Sequence, residues 1–380
     1  MLNRRQNFPD ADNESLFFWG ARQTGKSTLL KELFPKTLWF DLLLADVYER
    51  LMRNPILLRE TILANTGIKT VVIDEIQRIP ELLNEIHWLI TNTQTRFIMS
   101  GSSPRKIIRS QTNLLGGRAL RYELYPLVSA EIPDFDLLRA LNHGLLPRHY
   151  LVSNPKRLLS AYIGNYLKDE IVSEAKIRNV NVFAQFLEAA AFSNGEMVNY
   201  TNIAADCGVS APTIKEYFQI LQDTLIGRFV PVYQKKPKRR VIQAPKFYFF
   251  DVGIVNHLLK RSKVEYKSEA FGNAFEHFIY QELSAHSHYS GLDYTISYWR
   301  TASQLEIDFV LGDHQIALEI KASDRISDKH LRGLKAFMEE YEVEQAIVVC
   351  TEPLERLHNG IRIMPWQVFL EKLWKGVIIS

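Results

Sequence analysis

Residues 20–27 read Gly-Ala-Arg-Gln-Thr-Gly-Lys-Ser, which matches the pattern G-x-x-x-x-G-K-S of a Walker A phosphate-binding loop. The loop follows the apolar run 16–19, which we expect to be a buried strand, and it leads into a helix predicted over residues 28–34. Glycines let the backbone wrap an anion, so that its N–H groups and the helix N-terminus face the phosphates. The motif therefore predicts a nucleotide site between a strand and a helix.

Two side chains of this loop have specific expected roles. Lys26 is expected to reach the β- and γ-phosphates, and Ser27 to place its hydroxyl on Mg²⁺. The alternative is a helix-capping loop that happens to contain Gly and Lys. The residues predicted to bind ATP are Gly20, Ala21, Arg22, Gln23, Thr24, Gly25, Lys26, Ser27, Thr28 and Ser102.

A second part of the nucleotide site is predicted at residues 70–75, an apolar strand that ends in two carboxylates. Asp74 is expected to hold the Mg²⁺ shell, and Glu75 to orient the attacking water as a catalytic residue. The alternative is a solvated helix start.

Two further polar positions follow. The strand 96–100 ends in hydroxyls, and either Ser100 or Ser102 could sense the γ-phosphate, although turn chemistry explains these residues equally well. Arg118 precedes the last strand of this region and is a candidate for neutralising transition-state charge, in cis or from a neighbouring subunit. A role in trans would require a homo-oligomer, and a plain surface arginine is the alternative.

Bulk composition sets limits on the class of protein. The chain has 380 residues, which suggests two or three domains. Cys207 and Cys350 are too few and too far apart for a disulfide framework or a zinc site, as expected in a reducing cytoplasm. No signal peptide and no apolar run of membrane-spanning length is recognisable. The net charge of +3 is too small to indicate nucleic acid by itself.

Residues 16–124 alternate apolar strands with helices, which predicts an α/β unit with a parallel sheet covered on both faces. The strands are expected at 16–19, 38–41, 70–74, 96–100 and 120–124. The segment from 125 to about 178 is helical and punctuated by proline, as expected of a lid or connector.

A helix, a glycine-containing turn and a second helix are predicted over residues 200–217, typical of a helix–turn–helix. A β-hairpin with a cationic tip is predicted next, from strands at 229–233 and 241–242, which would be the wing of a winged helix. Such a tip can neutralise DNA phosphates without reading sequence. The alternative is a solvated hairpin or one used for packing. The residues predicted to contact DNA are Lys215, Lys235, Lys236, Lys238, Arg239 and Arg240.

The C-terminal third contains a second predicted site. Because strand side chains alternate, Asp308 lies on one face of its strand, and Glu319 and Lys321 lie on one face of the next. Glu276 can approach from a helix. These carboxylates are predicted to bind Mg²⁺ or Mn²⁺, and catalytic Lys321 to stabilise charge on an attacked phosphate. A salt-bridged, solvent-facing hairpin is the alternative.

The chain resembles, over nearly its full length, a prokaryotic family of AAA-type ATPases in which the ATPase is followed by a winged helix and a restriction-endonuclease-like domain. The resemblance implies ATP binding and hydrolysis. In the implied PD-(D/E)xK nuclease fold, Asp308 matches the metal-binding Asp, Glu319 the second carboxylate, Lys321 the catalytic Lys and Glu276 the helix Glu; Ile307 replaces the usual Pro. The motifs that carry the resemblance are 20–27, 74–77, 100–103, 117–118, 125–127, 246–251, 306–308 and 319–321.

The predicted architecture is therefore a P-loop ATPase core (1–125), a helical lid or connector (126–178), a winged helix–turn–helix (179–245) and an α/β nuclease-like domain (246–380). Three functions remain open at this point. The chain could be an ATPase that acts on DNA with an active nuclease. It could be an ATP-dependent switch with an inactive nuclease fold, or an ATPase whose partners are only proteins.

Overall fold

The computed structural model describes residues 2–9, 14–65, 67–109, 115–164, 166, 179–235, 239, 241–261 and 263–380. The chain divides into two compact units. We call residues 6–125 with 220–226 the N-terminal unit, and residues 1–5, 126–219 and 227–380 the C-terminal unit.

The N-terminal unit contains a parallel five-stranded sheet in the order β2-β3-β4-β1-β5. Its elements, in chain order, are β1 (Ser15–Trp19), α1 (Lys26–Leu33), β2 (Leu38–Asp41), α2 (Ala45–Arg53), α3 (Ile56–Leu63), β3 (Thr70–Asp74), α4 (Leu82–Asn92), β4 (Arg96–Gly101), α5 (Arg105–Arg109) and β5 (Ala119–Glu123).

Both faces of this sheet are covered. Val71 and Ile73 of β3 share a core cluster with apolar residues of α2, α3 and α4, and Val72, which points to the other face, is equally inaccessible to solvent. A sheet buried on both faces requires continuous apolar strands. The predicted α/β fold with a parallel sheet is confirmed, and each strand lies within one residue of its expected position.

The C-terminal unit begins with helices. Those of its first half are α6 (Leu137–His143), α7 (Pro147–Leu151), α8 (Lys156–Ala161), α9 (Val180–Phe192), α10 (Tyr200–Cys207) and α11 (Ala211–Asp223), the last four residues of α11 being counted with the N-terminal unit. The predicted helix–turn–helix corresponds to α10 and α11. Gly208 joins them with φ 65°, a left-handed conformation that glycine adopts without strain.

The hairpin after α11 differs from its prediction. Strand β6 (Gly227–Val230) pairs antiparallel with β7 (Lys246–Phe249), and not with residues 241–242. This hairpin crosses the expected domain boundary between residues 245 and 246, so that boundary is wrong.

The segment that connects β6 and β7 is bound to another sheet. Val232 and Val241 form bridges with Tyr298 and Thr301, and the backbone N–H of Tyr298 donates to Pro231 O at 3.0 Å. Tyr298 belongs to the outermost strand of the C-terminal sheet. The predicted pairing of 229–233 with 241–242 is wrong because the edge strand of the C-terminal sheet presents unpaired backbone groups. Residues 231, 232 and 241 pair with that strand instead.

The C-terminal sheet has six strands in the order β12-β13-β11-β10-β9-β8. The remaining elements are α12 (Val252–Leu258), α13 (Glu269–Tyr289), β8 (Ile296–Arg300), β9 (Glu306–Leu311), β10 (Ile316–Lys321), α14 (Arg332–Met338), β11 (Gln345–Cys350), β12 (Arg356–His358), β13 (Ile361–Pro365) and α15 (Trp366–Trp374).

Helices bury both faces of this sheet. Phe275 of α13 shares one core cluster with Phe309 of β9, whereas Phe337 of α14 shares another with Val348 of β11. The neighbouring strands β9 and β10 are antiparallel, and Phe309 lies opposite Leu318. In chain order this part of the fold is α13, the strands β8, β9 and β10, α14 and β11, and β12 and β13 extend the sheet.

Candidate functional site

The predicted phosphate loop lies at the carboxyl end of β1, directly before α1. Gly25 has φ 98° and Gln23 has φ 65°, so the backbone turns through the left-handed region twice within the loop. A side chain at Gly20 would place its Cβ 2.5 Å from Leu124 O, which explains why this position has none. The predicted ATP-binding residues from Gly20 to Thr28 all lie in this loop and the first turn of α1.

Lys26 folds back over the loop. Its Nζ donates to Gly20 O at 2.7 Å and to Ala21 O at 3.2 Å, and the residue is only 6% exposed. Burial lowers the pKa of Lys26, while Glu75 and Asp74 act in the opposite direction. The ammonium is therefore held in the loop by neutral carbonyls, which an anionic phosphate can replace.

Hydroxyl groups connect the loop with the end of β3. Ser27 Oγ donates to Asp74 Oδ2 at 2.6 Å, and Ser100 Oγ donates to Asp74 Oδ1. These residues come from three elements, and they meet because the carboxyl ends of parallel strands share one edge of the sheet. Oxygen donors of this kind suit Mg²⁺, and Ser27 and Asp74 are the residues that would hold it.

Glu75 is positioned by a residue that the sequence reasoning assigned no role. Glu75 has φ 61°, an uncommon conformation for a non-glycine residue. Gln77 Nε2 donates to the Glu75 carboxylate and also to Ser102 Oγ, the latter at 3.1 Å. Gly101 makes room for this contact, since a Cβ there would lie 2.1 Å from Gln77 Oε1. Of the two candidate sensor hydroxyls, Ser100 therefore contacts Asp74, and Ser102 contacts Gln77.

Arg118 lies at the opposite end of the sheet from the phosphate loop. In the parallel pairing of β1 and β5, Ala119 is beside Ser15, and Glu123 is beside Trp19. Arg118 is thus separated from the loop by the length of a five-residue strand, about 16 Å. The proposed role in cis is wrong because the parallel register places this side chain at the wrong edge; a role in trans stays a prediction.

The second predicted site is at β9 and β10. Lys321 Nζ lies 2.5 Å from Glu319 Oε1 and 3.9 Å from Asp308 Oδ2, and the same Asp308 oxygen accepts a 2.7 Å hydrogen bond from the Ile320 amide. Glu319 Oε2 is buried and has no hydrogen-bond partner among the residues that the structure describes. The structure thus brings together the three residues that the strand alternation predicted.

Glu276 joins this cluster from α13, together with residues that were not predicted as site members. Tyr248 Oη donates to Glu276 Oε1 at 2.5 Å. Lys246 Nζ lies 2.7 Å from Glu306 Oε1 and 3.6 Å from Glu276 Oε1, and Lys246 is 2% exposed. Glu306 is detectable from its alternation with Asp308, whereas Lys246 comes from β7, whose pairing the sequence did not reveal. We call Lys246, Glu276, Glu306, Asp308, Glu319 and Lys321 the acidic cluster.

Burial and neighbouring charges shift the pKa values of several groups in the acidic cluster. Burial raises the pKa of Glu276 to about 7, opposed by Lys246 and assisted by Asp308. Burial and the neighbouring Asp308 also raise the pKa of Glu319 well above its usual range. Although burial alone would lower it, the surrounding carboxylates hold the pKa of Lys246 above its ordinary value. Against the effect of burial, Asp308 and Glu319 likewise hold the pKa of Lys321 above its ordinary value, so both lysines stay charged and act as counter-ions.

The fit of a metal ion to this cluster is incomplete. Within the described part of the chain, no group of three or more His, Cys, Asp and Glu side chains is arranged to hold a metal ion. The unpartnered Glu319 oxygen is a free acceptor for a hard cation, but Lys246 and Lys321 already neutralise the neighbouring carboxylates.

The described cations among those predicted to contact DNA form contacts with other residues of the chain. Lys235 pairs with Asp313, and Arg239 pairs with Glu339 and Glu340, each at 2.6 Å. Lys215 lies 5.3 Å from the ring centroid of Tyr200. Lys236, Lys238 and Arg240 lie outside the described residues. The contacts of Lys235 and Arg239 match the alternative in which this segment serves packing.

Across the described ranges, no helix is both long and apolar enough to span a membrane.

Comparisons with known proteins assign regions of the chain. Residues 12–132 match the model of an AAA domain, so the chain carries an AAA-type ATPase domain there. Residues 134–265 match a domain of unknown function (DUF8612), and residues 271–369 match another (DUF4143). An uncharacterized protein of Haemophilus influenzae is 21% identical over 285 residues, which covers 68% of each chain.

Two solved structures are similar to parts of the chain. AMPPCP-bound DnaA from Aquifex aeolicus is 14% identical, with a TM-score of 0.26, over 55% of this chain and 82% of that one. A STAND signal transduction ATPase with a tetratricopeptide repeat sensor from Pyrococcus horikoshii is 15% identical, with a TM-score of 0.21, over 74% of this chain and 48% of that one.

Proposed function

We propose that this chain binds ATP with Mg²⁺ at the phosphate loop and hydrolyses it. The observation that carries the proposal is the convergence of Ser27 and Ser100 on Asp74, beside Lys26 and Glu75. A buried ammonium, a carboxylate with hydroxyl partners and a second carboxylate are the groups that phosphoryl transfer to water requires.

Each group has a distinct task in the proposed reaction. Lys26 leaves the loop carbonyls and binds the β- and γ-phosphate oxygens. Ser27 and Asp74 would hold Mg²⁺, which would neutralise charge on those phosphates. Glu75, held by Gln77, orients the water whose oxygen bonds to the γ-phosphorus as the bond to the ADP oxygen breaks.

The test is ATP turnover and ATP binding of the full chain with Lys26→Ala. We expect turnover to fall roughly a hundredfold or more, because the loop loses its phosphate-binding cation. Lys31→Ala is the matched control, since Lys31 is an exposed lysine of the same helix. Unchanged turnover in folded Lys26→Ala protein would contradict the assignment.

The acidic cluster supports a second candidate function, a metal-dependent nuclease. Asp308, Glu319 and Lys321 are close together, and the buried Glu319 Oε2 is available to a cation. In this proposal Asp308 and Glu319 would hold Mg²⁺ or Mn²⁺, which would supply an activated water, and Lys321 would stabilise charge on the attacked phosphate. In the competing proposal the cluster is inert, and ATP hydrolysis switches a scaffold that binds a protein or DNA.

Cleavage assays distinguish these proposals. Linear, nicked and branched DNA are incubated with Mg²⁺ or Mn²⁺, with and without ATP, beside Asp308→Asn. Cleavage that disappears in this variant supports the nuclease. Intact DNA under all conditions, with ATP turnover preserved, supports the scaffold.

A further inference from the structure

A cavity of about 980 Å³ lies within the C-terminal unit, and none of its lining residues has been assigned a role above. Its walls come from α6, the first turn of α8 with the loop before it, α12 and the segment that follows α12. All of its lining residues fall between 136 and 264, inside the region 134–265 that matches a domain of unknown function.

The lining of this cavity is strongly cationic. One carboxylate, Asp136, faces several cations, and it is already engaged as the N-cap of α6, where it accepts from the Arg139 amide at 3.1 Å. Because the whole chain has a net charge of only +3, this is a local concentration of positive charge. The cations that line the cavity are Arg139, Lys156, Lys260, Arg261 and Lys263, and we call the cavity the cationic pocket.

Hydrogen bonds hold the walls of the cationic pocket in place. Asn142 Nδ2 donates to Val264 O at 2.9 Å, and Asn142 Oδ1 accepts from the Val264 amide at 2.8 Å. Asn256 Nδ2 donates to Leu141 O at 2.7 Å, and its Oδ1 accepts from Arg261 Nη1 at 3.0 Å. The segment after α12 is thereby tied to α6, so Arg261 is set in position before any ligand arrives.

The pocket's cations remain available to an anion. Lys260 and Lys263 pair with Glu188 and Glu265 at 3.4 and 3.6 Å, but these pairs are solvent-exposed and hence weak. Among the described residues, Lys156 has no ion pair within 4.0 Å.

Arg139 is satisfied differently, because its guanidinium donates to backbone carbonyls of residues 150–152. Carbonyls occupy these donors, and the guanidinium also lies 5.3 Å from the ring centroid of Tyr150, so Arg139 contributes positive charge to the pocket and not a direct contact with the ligand.

The pKa values of two imidazoles in the pocket are lowered, by burial and by the neighbouring cations. Burial, followed by nearby Arg139, lowers the pKa of His143, and burial, followed by nearby Lys156, lowers the pKa of His257.

We propose that the cationic pocket binds a phosphorylated small molecule, with Arg261 and Lys156 contacting the phosphate. A guanidinium presents paired donors that match phosphate oxygens. The volume is at the upper end for small-molecule pockets, which suits a ligand as large as a nucleotide. This site is separate from the phosphate loop and does not depend on its proposed ATPase function.

The test uses the full chain with Lys26→Ala, so that the phosphate loop does not contribute. Calorimetric titrations with inorganic phosphate, pyrophosphate and AMP measure binding, and the ligand with the lowest Kd indicates the size of the natural one. Adding Arg261→Gln and Lys156→Gln is expected to weaken pyrophosphate binding at least tenfold. Arg325→Gln with Lys329→Gln is the matched control, because both are exposed cations outside the pocket and the charge change is equal.

A second measurement needs no substitution in the pocket. In the Lys26→Ala protein, pyrophosphate is expected to raise the pKa of His143 and His257, followed by NMR of the imidazoles, because a bound anion favours their protonated forms. Absence of pyrophosphate binding, equal affinity in the pocket and control variants, or unmoved imidazoles would each overturn the proposal.

Discussion

The phosphate loop and the acidic cluster are built from the same kinds of side chain, lysines beside carboxylates, but they balance their charges differently. At the loop, Lys26 donates to backbone carbonyls, and Asp74 accepts from the hydroxyls of Ser27 and Ser100. In the cluster, Lys321 pairs directly with Glu319, and Lys246 with Glu306.

This difference has a consequence for ligand binding. Neutral partners give way to a phosphate or a divalent cation at little electrostatic cost, so the loop is ready for a charged ligand. In the cluster, a metal ion must compete with the ammonium groups of buried Lys246 and half-buried Lys321, which hold the same carboxylates. The same residue types therefore prepare the phosphate loop for a ligand and stabilise the acidic cluster without one.

The largest effect of a substitution is expected at Glu75, on the rate of ATP hydrolysis. Glu75→Gln should lower kcat for ATP about a hundredfold with little change in KM, because it removes the group that orients water but no phosphate contact. Gln77→Ala should lower kcat about tenfold, since Glu75 loses its positioning hydrogen bond.

Steady-state kinetics measure both variants. Gln94→Ala, at an exposed glutamine of the same unit, is the control. A KM effect without a kcat effect in Gln77→Ala would contradict its positioning role.

An intermediate effect is expected at Lys246. Lys246→Met removes a buried counter-ion from Glu276 and Glu306, so it should raise the affinity for Mn²⁺ about tenfold. It should also lower the melting temperature in a way that Mn²⁺ reverses. Titration followed by Mn²⁺ EPR measures the affinity in nucleotide-free protein, with Lys375→Met as an exposed control. Unchanged Mn²⁺ affinity in a folded variant would show that Lys246 does not compete with a metal ion for these carboxylates.

The smallest effect is expected in the pH dependence of stability. The pKa of Glu276 is raised to about 7 from an ordinary value of 4.5. Between these values the unfolded chain releases a proton that the folded chain keeps, so the contribution of Glu276 to stability is lost as pH rises from 4.5 to 7.

Glu276→Gln should therefore reduce the drop in melting temperature between pH 5 and pH 7. Thermal melts at several pH values check this, with exposed Glu265→Gln as the control. An identical pH profile in wild-type and Glu276→Gln protein would show that Glu276 does not titrate in this range.

Local patterns in the sequence were enough for most of the fold of the N-terminal unit. Strands β2 and β3 begin and end as expected, because each is a short apolar run that ends in an aspartate, and β3 is buried along its whole length. The positions of the phosphate loop and of Asp74 were also predictable, because each motif comes at the end of an apolar run. The close approach of Asp308, Glu319 and Lys321 was also predictable, because strand alternation and one tight turn determine it.

Contacts between distant segments were decided by the tertiary structure alone. The pairing of β7 with β6 carries Lys246 into the acidic cluster, and the parallel register of β5 carries Arg118 away from the phosphate loop. The cationic pocket likewise joins α6 to residues more than a hundred positions later, through Asn142 and Val264. A sequence pattern reports which way a side chain points from its own strand or helix. Which other segment it meets depends on the packing and pairing of whole elements, and the sequence around the residue carries no signal of that.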